Sequence, residues 1–274
     1  MKKSKTILAG AAAAAVLGFD RRPEITHYEI ASPRLPEDFR GFRLAHISDY
    51  HNGAPESVSG LIRNERPDAI MITGDMTNEH ESYAPAIRFL KSLCGIAPCY
   101  LISGNHDICR ADYPDYIKAC EETGAVFLRN ERIWIYRRDS RIAVSGMEDL
   151  FYKTPENMKK RFDACRQELG NCEEFEILLF HRANLLDWLG DAGSDLILAG
   201  HLHGGQIRIP GLGGILCPRS SLAGNSRWLF PAYTSGLYRI GAAQTPAIVS
   251  RGLGNAIPIP RLFNRPEIGI VTLV

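Results

Sequence analysis

Arg43-Leu44-Ala45-His46-Ile47-Ser48-Asp49-Tyr50-His51 is a short apolar run that stops at two metal-binding side chains. Four further stretches follow the same pattern. Residues 69–73 (AIMIT) lead to Asp75, and 99–103 (CYLIS) lead to Asn105 and His106. Residues 176–180 (EILLF) lead to His181, and 196–199 (LILA) lead to His201 and His203. Each run reads as a buried strand. A parallel sheet sets the carboxyl ends of its strands along one edge, where open α/β sheets bind ligands. Donors far apart in sequence are therefore expected to meet at one rim.

The donors are two Asp, one Asn and four or five His, with no Cys. Imidazole with carboxylate suits Mn, Fe or Zn and not a soft ion. One tetrahedral catalytic ion takes about three protein ligands; seven donors suit two divalent ions sharing a carboxylate, the clamp of many phosphoryl-cleaving enzymes, with ions about 3.5–4 Å apart. Asp49-Tyr50-His51 and His201-Leu202-His203 both read ligand-x-ligand. On extended chain, residues i and i+2 share a face, so each pair is expected to face the ions from a strand end. Gly74, Gly104 and Gly200 each precede a donor, which permits a sharp turn and removes a crowding side chain.

In order along the chain, Asp49-x-His51, Gly74-Asp75, Gly104-Asn105-His106-Asp107, His181 and Gly200-His201-x-His203 resemble the five blocks of the calcineurin-like metallophosphoesterase family. The resemblance runs from about Arg43 to the C-terminus. Gly200–Gln206 (GHLHGGQ) and the tail Ser250–Ile268 (SRGLGNAIPIPRLFNRPEI) resemble a bacterial, often membrane-associated, phosphodiesterase-type subgroup. The resemblance implies Asp49, His51 and His203 on a first metal, Asn105, His181 and His201 on a second, and Asp75 as the bridge. It implies that His106 contacts the phosphate or leaving group beside Asn105. Tyr50 stands where many relatives have Leu or Thr, and Arg182-Ala183-Asn184 follow His181 where many have a Pro-Asp pair.

The chemistry implied is in-line attack of a metal-bridging hydroxide on a phosphoester, because coordination lowers the pKa of water towards ~7. The ions stabilise the developing oxyanion charge, and His106 stabilises phosphoryl oxygens or protonates the leaving alkoxide. Asp107 is expected to orient the other nitrogen of His106. Arg251, Asn264 and Arg265 are weaker candidates for substrate contact, with tail packing as the alternative reading. His46 is expected to pack behind the site, and His27 and His80 to lie on the surface. The glycine-rich 211–214 stretch lacks P-loop order and reads as a flexible loop. A phosphodiesterase is favoured over a monoesterase, on the subgroup resemblance alone. The alternative is a catalytically silent scaffold that keeps the fold and the metals.

Composition places these motifs in a folded enzyme: 45% hydrophobic and 23% charged residues are ordinary for a globular domain. A net charge of +1 lacks the basic excess of a nucleic-acid binder, so a small-molecule or lipid phosphoester is the expected partner. The N-terminus is different. Lys2, Lys3 and Lys5 precede an apolar, alanine-rich run from Thr6 to Phe19, and charge returns at Asp20-Arg21-Arg22. This is the order of a secretory signal, in a run short of the ~20 residues of a membrane span. Residues 1–22 are expected to be a signal peptide or anchor and 23–274 the catalytic domain, exported or membrane-associated and facing outside, with a cytoplasmic chain as alternative. Seven cysteines without a C-x-x-C pair leave one or two disulfides open.

Helical readings fall on 56–65, 81–94, 112–124, 155–170 and 184–192, and strand readings on 26–32 and on hairpin material within 125–146. Pro114 sits in a first helical turn. Alternating βα units followed by β-rich chain predict two packed sheets with helices outside. The family resemblance implies a four-layer αββα sandwich with two mixed β-sheets.

Overall fold

The computed structural model describes residues 18–53, 57–150, 154–190, 192–216, 229–255 and 259–274. The leader reading over residues 1–17, the start of the helical reading at residue 56, and Cys217 lie outside them.

Two six-stranded sheets and one small hairpin make up the β structure of the described residues. The first sheet draws on β1 (Glu24–Ile30), β2 (Arg43–Ile47), β3 (Ala69–Ile72), β4 (Cys99–Leu101) and β5 (Val126–Phe127). The second draws on β6 (Glu131–Arg137), β7 (Ser140–Gly146), β8 (Glu176–Arg182) and β9 (Leu196–Gly200). After the hairpin of β10 (Arg208–Ile209) and β11 (Gly213–Gly214) come β12 (Gly236–Ile240), β13 (Thr245–Val249) and β14 (Glu267–Leu273). The sheet orders are β1-β14-β2-β3-β4-β5 and β12-β13-β9-β8-β7-β6. Strands β2 to β5 run parallel, and β14 lies antiparallel to β2 and parallel to β1.

Side-chain alternation explains the layers. Leu44, Ala69 and Met71 of the first sheet pack in one core with Ile177, Leu179, Leu196 and Leu198 of the second. Their sequence neighbours point the other way. Ala45, Ile47, Ile70 and Ile72 pack under helices α1 (Ser57–Glu65), α2 (Ala84–Cys94) and, past the single turn α3 (Asn105–Ile108), α4 (Tyr113–Glu121). Leu178, Phe180, Ile197 and Ala199 pack under α5 (Pro155–Leu169). Strands apolar at every position are thus buried on both faces, each Leu or Ile contributing about 1.5–3 kcal/mol of burial. The result is the expected α/β fold, two mixed sheets flanked by helices in four layers. Helix α5 begins at Thr154, whose Oγ1 accepts from the Asn157 N–H at 3.3 Å, and stops at Gly170 with φ 62°. A cap of this kind contributes about 1 kcal/mol.

Four local expectations change. The five motif-bearing strands do not share a sheet: β2, β3 and β4 lie in the first and β8 and β9 in the second. The stretch after His181 is a 3-10 helix, Ala183–Leu189. Residues 211–214 are the turn and return strand of the β10–β11 hairpin, not a flexible loop. The helix expected from Glu81 starts at Ala84 with Pro85 in its first turn, which frees 78–83 to line the rim. Cys94, Cys99, Cys109, Cys120, Cys165 and Cys172 are all free thiols. Among the described residues no helix is long and apolar enough to cross a membrane.

Candidate metal centre

The strand ends of both sheets converge on one rim, and the seven expected donors meet there. Asp49, His51 and His203 form one group of potential ligand atoms within 4.8 Å of one another. Asp75, His181 and His201 form a second, and His51, Asp75 and His106 a third that joins them. In the first group His203 Nε2 lies 3.6 Å and His51 Nε2 4.0 Å from Asp49 Oδ1. In the second, His181 Nε2 lies 3.1 Å from His201 Nδ1 and 3.3 Å from Asn105 Oδ1. Asp75 Oδ2 is shared, 3.7 Å from His51 Nε2 and 3.3 Å from His181 Nε2. Its other oxygen, Oδ1, accepts from the His106 N–H at 2.8 Å.

The backbone that aims these side chains is not the extended chain the ligand-x-ligand spacing suggests. Asp49 (φ 52°), His51 (φ 47°), Asp75 (φ 53°), His201 (φ 78°) and His203 (φ 47°) are all left-handed. Asp and His tolerate this region better than most residues, and such positions collect at functional sites at a cost of roughly 1–3 kcal/mol each. Tyr50 still turns away from the donors and stacks on Phe89 with ring centroids 4.3 Å apart. Gly104 is required by close approach: a Cβ there would collide with Asp75 Oδ1 and the Asp75 amide. Gly200 stands in the same relation to Ser48 and Asp49.

Outer partners select the nitrogen presented to the rim. His181 Nδ1 lies 2.7 Å from the Thr73 carbonyl. A carbonyl only accepts, so Nδ1 carries the proton and Nε2 offers its lone pair. His51 Nδ1 meets Asn78 Oδ1 at 2.9 Å and leaves Nε2 free in the same way. That Nε2 is buried and has no hydrogen-bond partner, among carboxylates that repel one another. A lone pair left open beside two carboxylates fits a cation, and two divalent ions of unspecified identity match the two groups.

Electrostatics agree with that fit. Burial holds His51 below its usual value and takes His203 down to about 3. Burial and the Arg182 guanidinium hold His201 far below the ordinary histidine range. Burial opposes charge on His181, but the Asp75 carboxylate outweighs it and pushes the ring up to about 10. Of the two rings beside Asp75 Oδ2, His181 is the nearer and draws the proton; a cation bound there would take that proton's place on Nε2.

Several expectations need revision. Asp107 does not serve the His106 ring: its oxygens accept backbone N–H from Gly104 (2.9 Å), Thr77 (3.1 Å) and Met76 (3.4 Å). Burial and the Asp75 charge raise its pKa to about 7, against those N–H bonds. The carboxylate beside His106 Nδ1 is Glu79, at 3.4 Å. Arg251 is ion-paired with Glu24 (2.9 Å) and Glu267 (3.3 Å) and is not among the gathered residues. Asn264 donates to the carbonyls of His203 and Gln206, and Arg265 to those of Arg22 and Pro23; both tie the tail to the rim. His46 is buried against Thr73 Oγ1 at 2.9 Å. The side chains of His27 and His80 are 60% and 93% exposed.

The sequence reading missed Thr73, Asn78 and Glu79. It also missed Arg182, paired with Asp149 at 2.9 Å and 3.5 Å from His201 Nε2, and Arg261, 3.3 Å from His203 Nδ1. Two buried guanidiniums thus flank the carboxylates. The departure at Arg182 marked one of them in the sequence; the others carry no local signal.

The sequence pattern of the calcineurin-like phosphoesterase family matches residues 42–205. Metallophosphoesterase YkuE of Bacillus subtilis is 30% identical over 264 residues, covering 91% of this chain and 85% of that protein. Phosphodiesterase YaeI of Escherichia coli is 25% identical over 243 residues, covering 85% of this chain and 82% of its own. Among solved structures, TT1561 of Thermus thermophilus superposes with a TM-score of 0.52 at 12% identity, over 79% of this chain and 91% of that one; this likeness concerns the fold alone.

Proposed function

Because the chain belongs to the calcineurin-like phosphoesterase family, we propose that its two-metal centre hydrolyses phosphodiesters. The coarser part of that statement, a hydrolase dependent on two divalent ions, rests on the paired ligand groups and the fold. One observation carries it: Asp75 Oδ2 lies between His51 Nε2 and His181 Nε2, one from each group of potential ligands.

In this reading Asp49, His51 and His203 would hold one ion, Asn105, His181 and His201 the other, and Asp75 would serve both. Bound divalent ions supply positive charge for the phosphoryl oxygens and acidify water at neutral pH. His106 is the catalytic side chain. Its ring stands edge-on to His51 at 5.0 Å, and 27% of it stays exposed, so it borders both the ligands and the solvent from which a substrate arrives. With the Glu79 carboxylate 3.4 Å from Nδ1, Nε2 is the nitrogen of His106 available to protonate a leaving alkoxide. Asn105, which neighbours it in the chain, presents its amide to the same phosphate. The diester preference is supported by the subgroup motifs Gly200–Gln206 and Ser250–Ile268 and by the relative that bears the name phosphodiesterase.

The test is hydrolysis of bis-p-nitrophenyl phosphate against p-nitrophenyl phosphate, on protein stripped by chelation and reloaded with Mn, Fe or Zn. Faster turnover of the diester, restored by metal, is expected. A reloaded protein that turns over neither ester is the scaffold; one that prefers the monoester reverses the diester reading.

A further inference from the structure

Among the described residues ten large apolar side chains are exposed, and seven of them fall in segments joined into one patch. Phe19 precedes β1, Ile209 and Leu212 belong to the β10–β11 hairpin, Leu229 and Phe230 follow it, and Ile259 and Phe263 lie between β13 and β14. Backbone bonds knit these segments. The Ile215 N–H donates to Ile207 O at 2.8 Å, Phe230 to Ile215 O at 2.8 Å, Arg208 to Leu262 O at 2.9 Å, and Phe263 to Gly18 O at 2.6 Å. Leu212 is 73% and Phe230 56% exposed. A monomer seldom leaves so much apolar side chain uncovered in one place without a use for it.

The knit is fastened to the metal rim. Asn264 Nδ2 donates to the His203 carbonyl at 2.7 Å, and Arg208 Nη1 to the Gly204 carbonyl at 3.1 Å. Within it opens a cleft of about 650 Å³ whose lining includes Arg208, Arg251, Arg265, Leu212 and Phe263. Glu24 is the single acid of that lining. Arg22, whose carbonyl accepts from Arg265 of this lining, precedes β1, and its side chain is 82% exposed. Arg22 and Arg265 share Asp20, and Arg251 pairs with Glu24 and Glu267; with Arg208, four arginines meet three acids, an excess of positive charge. Gly18, the first described residue, is bound here through its carbonyl.

We propose that this face docks on an anionic lipid bilayer. Its apolar side chains enter the headgroup boundary, and the arginines in and around the cleft take lipid phosphate, which holds the loop of His201 and His203 at the lipid surface. Stable attachment to a bilayer takes two signals. The exposed apolar side chains and the arginines of the adjoining cleft are two. A second copy of the chain would cover the apolar side chains only by setting like charges face to face.

The test is co-sedimentation of the full chain with vesicles of phosphatidylcholine alone or mixed with phosphatidylglycerol. Binding roughly tenfold stronger to the anionic vesicles, falling with salt, is expected. Leu212→Asp with Phe230→Asp weakens it by about tenfold, while melting temperature and hydrolysis of soluble bis-p-nitrophenyl phosphate stay unchanged. Should that pair impair folding, Leu212→Ser is read in the same way. Variants that bind like the native chain, equal binding to both vesicle types, or a lipid-free dimer that the substitutions dissociate would each overturn the docking face. Because sedimentation needs no turnover, failure of the diesterase reading leaves this result standing, and the reverse holds too.

Discussion

Asp75 divides its two oxygens between different tasks: Oδ1 is tied to the His106 amide, while Oδ2 faces both ligand groups. Asp75→Ala is therefore expected to lose both metal and activity, whereas His106→Ala keeps its metal and loses turnover by about 10²–10³. Metal analysis beside kinetics separates the two; equal metal loss in both variants would refute the division of roles. Glu79→Gln should lower kcat by about tenfold at unchanged KM and shift the pH dependence of kcat, because Glu79 acts through His106 Nδ1. An unchanged pH profile would make Glu79 a bystander. At this scale the ligands were legible, since an Asp, Asn or His ending an apolar run is unusual and each instance repeats the same grammar. Glu79 was not, because it pairs with a residue 27 positions later and nothing near it in sequence says so. Asp107 was misread for the opposite reason: adjacency to His106 suggested a partner, but a carboxylate at that turn finds backbone N–H groups closer at hand.

The elements deliver these residues through tight crossings at the strand ends. Gly104 passes so close to Asp75 that a methyl group has no room. Gly104→Ala should therefore weaken metal binding and destabilise by about 1–3 kcal/mol, measurable as a lower denaturant midpoint with unchanged slope. Full metal occupancy and native stability would show that the loop relaxes freely. The apolar runs themselves were readable as strands. Their assignment to sheets was not, because a strand buried on both faces carries no in–out alternation to say which layer lies on which side. The left-handed ligands were equally hidden: Asp49-x-His51 spacing fits an extended pair as well as a bent one, and only the three-dimensional path decides.

At the scale of the whole molecule, burial of the site makes stability depend on acidity. Burial holds His46 and His203 at about 3 and keeps His51 and His201 depressed, against an ordinary value of 6.5. These rings are neutral when folded and free to take protons when unfolded. Folded values below unfolded ones contribute stability that is present above pH 6.5 and is lost as pH falls. Asp107, raised to about 7, opposes this trend and His181, raised to about 10, opposes it above pH 6.5; four rings outweigh one carboxyl, so metal-free protein should melt at progressively lower temperature from about pH 6.5 downward, and calorimetry across pH 5 to 6.5 checks it. A flat profile would mean that the rings are not held neutral in the fold. The four-layer class was legible from βα alternation because layers follow from which faces are apolar, whereas the placement of β14 inside the first sheet was not, since no local pattern announces a partner more than 200 residues away.

Strand β14 lies between β1 and β2 and completes the sheet that carries Asp49 and Asp75. During synthesis β1 leaves the ribosome more than 200 residues before its partner. The nascent polypeptide must hold an incomplete, aggregation-exposed sheet until residue 273 emerges, so a chain cut before Glu267 strands β1 without a neighbour and bares the flank of β2, and is not a slightly shortened enzyme.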